Sequence, residues 1–189
     1  AEIFPKIQTI YKLRPDGYSR AIAGQSSGGI CAFNSAWWRP ESFSRVLSRI
    51  GSYTPLQWLR GQVNPQGRWG LDDPAGFVEG GDIYPTLVRR HEKRNIRVWL
   101  EDGSHDLEIT KGSWPLQNIR LANSLKLREY DFYFSFSNAQ HNTQNGNAEL
   151  PRAITWLWRG YDASKTRQEF TMDSAEKKRP YFRVAIVNR

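Results

Sequence analysis

The stretch Gly24-Gln25-Ser26-Ser27-Gly28 constrains the fold more than any other part of the chain. It fits the pattern Gly-x-Ser-x-Gly, in which a strand gives way to a helix so abruptly that only small flanking residues avoid a backbone collision, and the serine hydroxyl is held out of the sheet. The flanks suit such a turn. Ala21-Ile22-Ala23 has the length and apolar character of a buried strand, and Ile30-Cys31-Ala32-Phe33 belongs to a helical segment that ends before Pro40. A chain of average composition and this length shows the pattern by chance in roughly one case in twenty. The informative part is therefore its place between a strand and a helix, which points to an α/β fold.

The remaining segments alternate as a parallel sheet with crossover helices requires. Residues 2–13 place Ile3, Ile7, Ile10 and Tyr11 at helical spacing, and Arg14-Pro15-Asp16-Gly17 closes that helix in a turn. Residues 45–50, 96–100 and 130–136 are strand candidates. Between the last two, Ser113 can cap a helix with Pro115 in its first turn and an apolar face of Leu116, Ile119, Ala122, Leu125 and Leu127. A further helix is expected over about residues 149–159, with Pro151 in the first turn and Ile154, Leu157 and Trp158 facing inward. Residues 161–189 form a carboxyl-terminal extension, polar until residues 181–187, which fit an edge strand or a docking segment. Residues 54–81 resist the alternation, carrying Pro55, Pro65, Pro74, six glycines, Trp58 and Trp69. They predict a long inserted loop that covers the site as a lid, with the two tryptophans packing it and available to bind substrate.

Composition removes several function classes. With 39% hydrophobic residues and 8 Trp, 8 Tyr and 9 Phe, the chain of 189 residues can bury enough apolar surface to order one domain, so wholesale disorder is excluded. No apolar run approaches the roughly 20 residues that span a bilayer, and the first residues lack the basic-then-apolar pattern of a signal peptide, so no membrane span or uncleaved signal is expected. Cys31 is the only cysteine, which excludes an internal disulfide and a thiolate-rich metal site. Nothing demands an oxidising compartment; the compartment stays open, with the cytoplasm slightly favoured. Lys and Arg total 27 against 19 Asp and Glu, giving a charge of +8 that attracts anionic partners. The basic residues are scattered, however. Their densest cluster, Arg89-Arg90-His91-Glu92-Lys93-Arg94, suits the carbonyl end of a helix better than a nucleic-acid patch.

A serine of ordinary acidity needs a base, and the base needs an orienting acid. Of the three histidines, His91 lies in the basic cluster and His105 beside Asp106 in a turn after a strand. His141 lies in a polar loop between the strand at residues 130–136 and the last helix, where a catalytic histidine belongs in the chain order serine, acid, histidine. The acid should leave the end of the preceding strand. Asp106 has the room to reach the next loop, whereas Asp102 sits close enough to the strand end to brace the turn through its own backbone, and remains the alternative acid. Ser27, opening the helix, offers its amide to a developing oxyanion, and Gln25 is a further candidate for contact with substrate. No metal site is expected, because His105, Asp102 and Asp106 lack a second histidine at helical spacing, and no phosphate loop follows the glycine pairs.

Residues 20–29, 99–107, 112–116, 150–151 and 156–159 together resemble the putative esterase family of α/β-hydrolases, which includes enterochelin esterase and esterase D and has relatives among feruloyl and acetylxylan esterases. The resemblance covers about residues 2–160. It implies an α/β-hydrolase-like parallel sheet with flanking helices, no cofactor, and the roles of nucleophile, acid and base for Ser26, Asp106 and His141. Two departures stand out. Residues 53–80 replace what is usually a short link. Only 25 residues precede Ser26, so the strands that normally come first, and the loop that donates a second oxyanion amide, are missing from this stretch. Residues 1–160 then read as the carboxyl-terminal catalytic part of a hydrolase. The strand at Ala21–Ala23 would be left with an open edge for a second copy or a complementing chain to cover.

The function expected from the sequence is a serine esterase acting on a small-molecule ester of a bulky or anionic acid, as enterochelin esterase does. The alternatives are a feruloyl or acetylxylan type of esterase, and a catalytically silent binding or assembly module built on a shortened hydrolase fold. Neither nucleic acid nor membrane is an expected partner.

Overall fold

The computed structural model describes residues 3–56, 62–63, 77–78 and 80–181. Four strands form one parallel sheet in the order β1-β2-β5-β8, where β1 is Ala21–Gln25, β2 Arg45–Arg49, β5 Arg97–His105 and β8 Asp131–Gln140. Two antiparallel pairs stand apart from it: β3 (Gln62–Val63) with β4 (Phe77–Val78), and β6 (Glu108–Ile109) with β7 (Gly112–Ser113). Among the described residues β1 pairs only with β2, so it lies at a sheet edge, with Ala21 and Ala23 exposed.

Parallel strands need crossover helices, and these cover both faces of the sheet. On one face Ile30, Phe33 and Trp37 of α2 (Ser27–Trp38), Leu87 and Val88 of α3 (Tyr84–Arg90) and Leu121 and Leu125 of α4 (Trp114–Leu127) pack against Val46, Val98, Leu100 and Phe132. On the other face Ala153 and Leu157 of α5 (Gln144–Leu157) pack on Leu47 and Trp99. Neighbouring residues at the centres of β2 and β5, Val46 and Leu47, Val98 and Trp99, thus serve opposite cores, which is why each strand has a consecutive apolar pair rather than an alternation. Each side chain so buried contributes about 1.5–3 kcal/mol.

Three helices depart from the sequence pattern. The first, α1 (Ile3–Gln8), is shorter than the expected 2–13, and its apolar residues do not form a buried face: Ile3 and Ile10 are 72% and 74% exposed. Phe4 lies against the Phe43 ring and under Arg20. In α4, Ser113 accepts from the Leu116 amide as a cap should. Leu116 and Leu127 nevertheless face water, because the inner face runs through Trp114, Asn118, Leu121, Ala122 and Leu125. A buried asparagine in the middle of that face hides it from an apolar pattern. Helix α5 begins five residues before the expected start, so Pro151 falls in its interior rather than its first turn, and Ile154 is exposed rather than inward. Pro151 lies on the exposed side, where water can satisfy the carbonyl that loses its amide partner. Beyond α5, Phe170 and Met172 are buried and α6 (Ser174–Lys178) follows; residues 182–187, the rest of the expected edge strand or docking segment, lie outside the described residues.

The amino-terminal ends of the strands hold a cluster of buried charges. Asp131 pairs with Arg97 at 2.7 Å and with Arg159. Arg45, fully buried, donates to the Leu157 carbonyl at 2.8 Å and lies against the rings of Tyr18, Trp158, Tyr161 and Phe170. Burial, with Arg97 nearby, brings its pKa down to about 10, so it remains a cation at neutral pH. The opposite, carboxyl-terminal ends of the strands carry the groups described next.

Candidate active site

Ser26 sits between β1 and α2 with φ 54° and ψ −120°, a conformation unfavourable for a residue with a side chain. The sequence around it makes that turn feasible. A Cβ on Gly24 would fall 1.9 Å from the Gly28 carbonyl oxygen, so the strand can approach the first turn of α2 this closely only with glycine at position 24. The turn is tied to the neighbouring strand, since the Ser26 amide donates to the Arg49 carbonyl at 2.9 Å.

Three side chains from three connections converge here. His141, just past β8, places Nε2 2.9 Å from Ser26 Oγ. Its Nδ1 lies 2.5 Å from Asp106 Oδ1, and the same oxygen accepts from the Leu107 amide at 2.6 Å. Asp106 follows β5 after a register shift between Gly103 and His105, and its own amide bonds to the Gly103 carbonyl at 3.1 Å. Past that irregularity only His105 still pairs, with Gln140, and the Asp106 carboxyl reaches across to the loop after β8. The Trp114 ring meets the His141 imidazole edge to face at 5.7 Å, and Trp114 is fully buried. An imidazole held between a carboxylate and a serine hydroxyl can take the hydroxyl proton and return it to another oxygen.

The family model described as "Putative esterase" matches residues 1–157. The chain belongs to the putative esterase family. Among solved structures it is similar to a ferulic acid esterase (TM-score 0.62, 19% identity, covering 84% of this chain and 58% of that one). It is also similar to the enterochelin esterase of Shigella flexneri (0.60, 21%, 84% and 35%) and to the S-formylglutathione hydrolase of Staphylococcus aureus (0.56, 16%, 82% and 57%). The chain therefore spans between about a third and three fifths of these structures, and at such identities the likeness is one of fold. No curated protein matches the chain.

The fold is thus the α/β-hydrolase-like parallel sheet with flanking helices that the motifs imply. Of the family's expected site residues, the structure brings Ser26, Asp106 and His141 together, and puts Ser27 at the first position of α2 and Gln25 at the end of β1. Trp58 and Trp69, with most of the expected lid at 54–81, lie outside the described residues. His105 is exposed beside the Asn138 carbonyl, and His91 caps α3, its ring nitrogen 3.2 Å from the Leu87 carbonyl. Among the described residues no group of three or more His, Cys, Asp and Glu side chains converges as metal ligands would.

Asp102 does not reach His141. It is fully buried inside β5, where Oδ1 accepts from the Gly103 amide at 2.7 Å and Oδ2 has no hydrogen-bond donor among the described residues. Burial, reinforced by the neighbouring Asp106 carboxyl, pushes its pKa up to about 9. At neutral pH Asp102 is therefore a neutral acid able to donate its proton towards Asp106, whose Oδ2 is likewise buried without a donor. Three further residues frame the site: Arg49 and Ser52, which lie in no motif, and Trp114, whose 112–116 segment carries the family resemblance without a role at the site. Arg49 donates to the Thr143 carbonyl at 3.1 Å, steadying the loop that carries His141. Ser52 lies 3.1 Å from Ser26 Oγ. Trp114 donates through Nε1 to Ser52 Oγ at 3.2 Å. Each is long-range in sequence, and no local pattern signals such a contact.

Proposed function

We propose that this chain hydrolyses carboxylic esters through a covalent acyl-serine, with Ser26 as nucleophile, His141 as base and acid, and Asp106 as the group that orients and charges against His141. The observation that carries this reading is the continuous contact from Asp106 through His141 to Ser26, at 2.5 and 2.9 Å. Ser26 gives its proton to His141 Nε2 as Oγ attacks the ester carbonyl. The carbonyl oxygen becomes an oxyanion against the Ser27 amide at the start of α2, where the helix dipole favours negative charge. Collapse of this adduct expels the alcohol, which takes the proton from Nε2. Water then enters, gives a proton to Nε2 and attacks the acyl carbon; a second collapse releases the acid and returns the proton to Ser26.

For the substrate, the +8 charge favours an ester of an anionic acid, of the enterochelin kind, over a small neutral acetyl ester, and Trp58 and Trp69 in the sequence of the insertion favour a bulky one. Likeness in fold to an enterochelin esterase and to a ferulic acid esterase supports aromatic acids in general. The test is turnover of a panel of catecholate, feruloyl and acetyl esters by wild-type protein and Ser26→Ala. Turnover abolished by the substitution and fastest on catecholate esters supports both parts. Turnover confined to acetyl esters overturns the substrate assignment, and turnover indifferent to Ser26→Ala overturns the mechanism.

A further inference from the structure

No motif in the sequence points to Ser52, yet its hydroxyl lies 3.1 Å from Ser26 Oγ, and the hydrogen count around that contact has one solution. Asp106 Oδ1 already accepts from the Leu107 amide and faces His141 Nδ1, so Nδ1 carries the imidazole proton and Nε2 accepts from the Ser26 hydroxyl. The single Ser26 proton is thereby committed to His141. The proton lying between the two serines must belong to Ser52. Trp114 Nε1 can only donate, and it donates into Ser52 Oγ at 3.2 Å, which leaves the Ser52 proton to point at Ser26.

The backbone holds Ser52 in this place at some expense in conformation. Ile50, just after β2, has φ 41°, a conformation that β-branched residues rarely adopt and that persists only where the surroundings impose it. The turn it makes is pinned on three sides: the Ile50 amide to the Glu101 carbonyl at 2.6 Å, the Gly51 carbonyl to Asn118 Nδ2 at 2.9 Å, and the Ser52 amide to the Ser26 carbonyl at 3.1 Å. Ser52 and its donor Trp114 are both fully buried, so water does not compete for the hydroxyl.

We propose that Ser52 is a catalytic residue of the ester hydrolysis assigned above, on which this inference rests: its hydroxyl donates to Ser26 Oγ whenever that atom carries negative charge. During attack the Ser26 O–H bond breaks as the Nε2–H bond forms, and the Oγ electron pair closes on the acyl carbon while Ser52 stabilises the charge. When the acyl group departs, Oγ leaves the carbon with that pair, is stabilised again, and recovers its proton from His141. Ser52 keeps its own proton throughout, so no further reactant is needed. A donor to a charged oxygen in a dry site is the stronger kind of hydrogen bond, and its loss should slow the reaction roughly 10- to 100-fold.

The test compares second-order labelling by a fluorophosphonate in wild-type protein, Ser52→Ala, Trp114→Phe and the double variant, alongside their melting temperatures. Ser52→Ala strands the buried Trp114 N–H as well as removing the donor; the double variant leaves no such orphan. The expected result is labelling in Ser52→Ala roughly 10- to 100-fold below wild type, and labelling in the double variant below Trp114→Phe by a similar factor, since Trp114→Phe alone already carries any effect of the lost ring on stability and on His141. A purely structural role for Ser52, as acceptor for the Trp114 N–H, predicts that the double variant labels as fast as Trp114→Phe, and that result overturns the proposal. If wild-type protein labels at Ser26 and Ser52→Ala labels equally fast, the Ser52 assignment falls while ester hydrolysis stands; if folded wild-type protein does not label at all, both fall.

Discussion

Ser26 Oγ and His141 Nε2 stand 2.9 Å apart across 115 positions of sequence, and Asp106 lies on the far side of the imidazole. The three groups leave the carboxyl ends of β1, β5 and β8, so their spacing is set by strand register rather than by any local segment. An amide at position 106 would offer a donor where the carboxylate now accepts, turning the imidazole to the wrong tautomer. Asp106→Asn should lower kcat by about 10³- to 10⁴-fold with KM little changed; steady-state kinetics on any ester that the wild-type protein turns over will show it.

The two glycines of the serine turn should respond in opposite ways. Gly24→Ala drives a methyl into the Gly28 carbonyl, and the contact is with backbone that cannot move aside. It should cost a large share of the stability and disrupt the turn. A Cβ at Gly28 meets nothing within 4 Å and lies inside the first turn of α2, so Gly28→Ala should stabilise by about 0.5–1 kcal/mol. Chemical denaturation of both variants checks the pair.

Asp102 makes the stability depend on pH. Its native pKa, near 9, exceeds the ordinary carboxyl value of 3.8, so the folded state holds a proton that the unfolded chain releases. Stability linked to this group is therefore fully present below about pH 4 and is lost as pH rises towards 9. Asp102→Asn mimics the protonated acid and removes that slope. Melting temperatures across this range should show the variant gaining on wild type as pH rises; parallel curves would show that Asp102 is not the proton holder.

At the other end of the sheet, Asp131 neutralises the buried Arg97 and also pairs with Arg159. Asp131→Ala leaves the Arg97 cation buried without its partner and should cost about 3–5 kcal/mol in urea unfolding.

Much of this architecture is written locally. The glycine-serine turn, the strands at 45–50, 96–100 and 130–136, and the Ser113 cap all rest on signals within a few residues of one another, and the structure carries elements at each. What escapes is long-range or polar. The inner face of α4 passes through Asn118, whose amide holds the Gly51 and Trp114 carbonyls, so apolar spacing alone selects Leu116 and Leu127 wrongly. In α1 helical spacing is present, but no surface lies opposite Ile3 or Ile10 among the described residues. Proline at 151 points to a helix start because its missing amide is harmless there; an exposed interior position is equally tolerable. The convergence of Ser26, Asp106 and His141 follows from chain order and strand ends, whereas the place of Ser52 depends on an uncommon Ile50 conformation that no composition or periodicity encodes.

The most direct measurement is peptide mapping of folded protein after exposure to a fluorophosphonate, run beside Ser26→Ala. A single phosphonyl adduct on the peptide containing Ser26, absent from the variant, is the result expected of a hydroxyl activated by His141 and Asp106. Folded wild-type protein that stays unmodified, or that carries its adduct on another residue, would contradict the assignment of Ser26 as nucleophile.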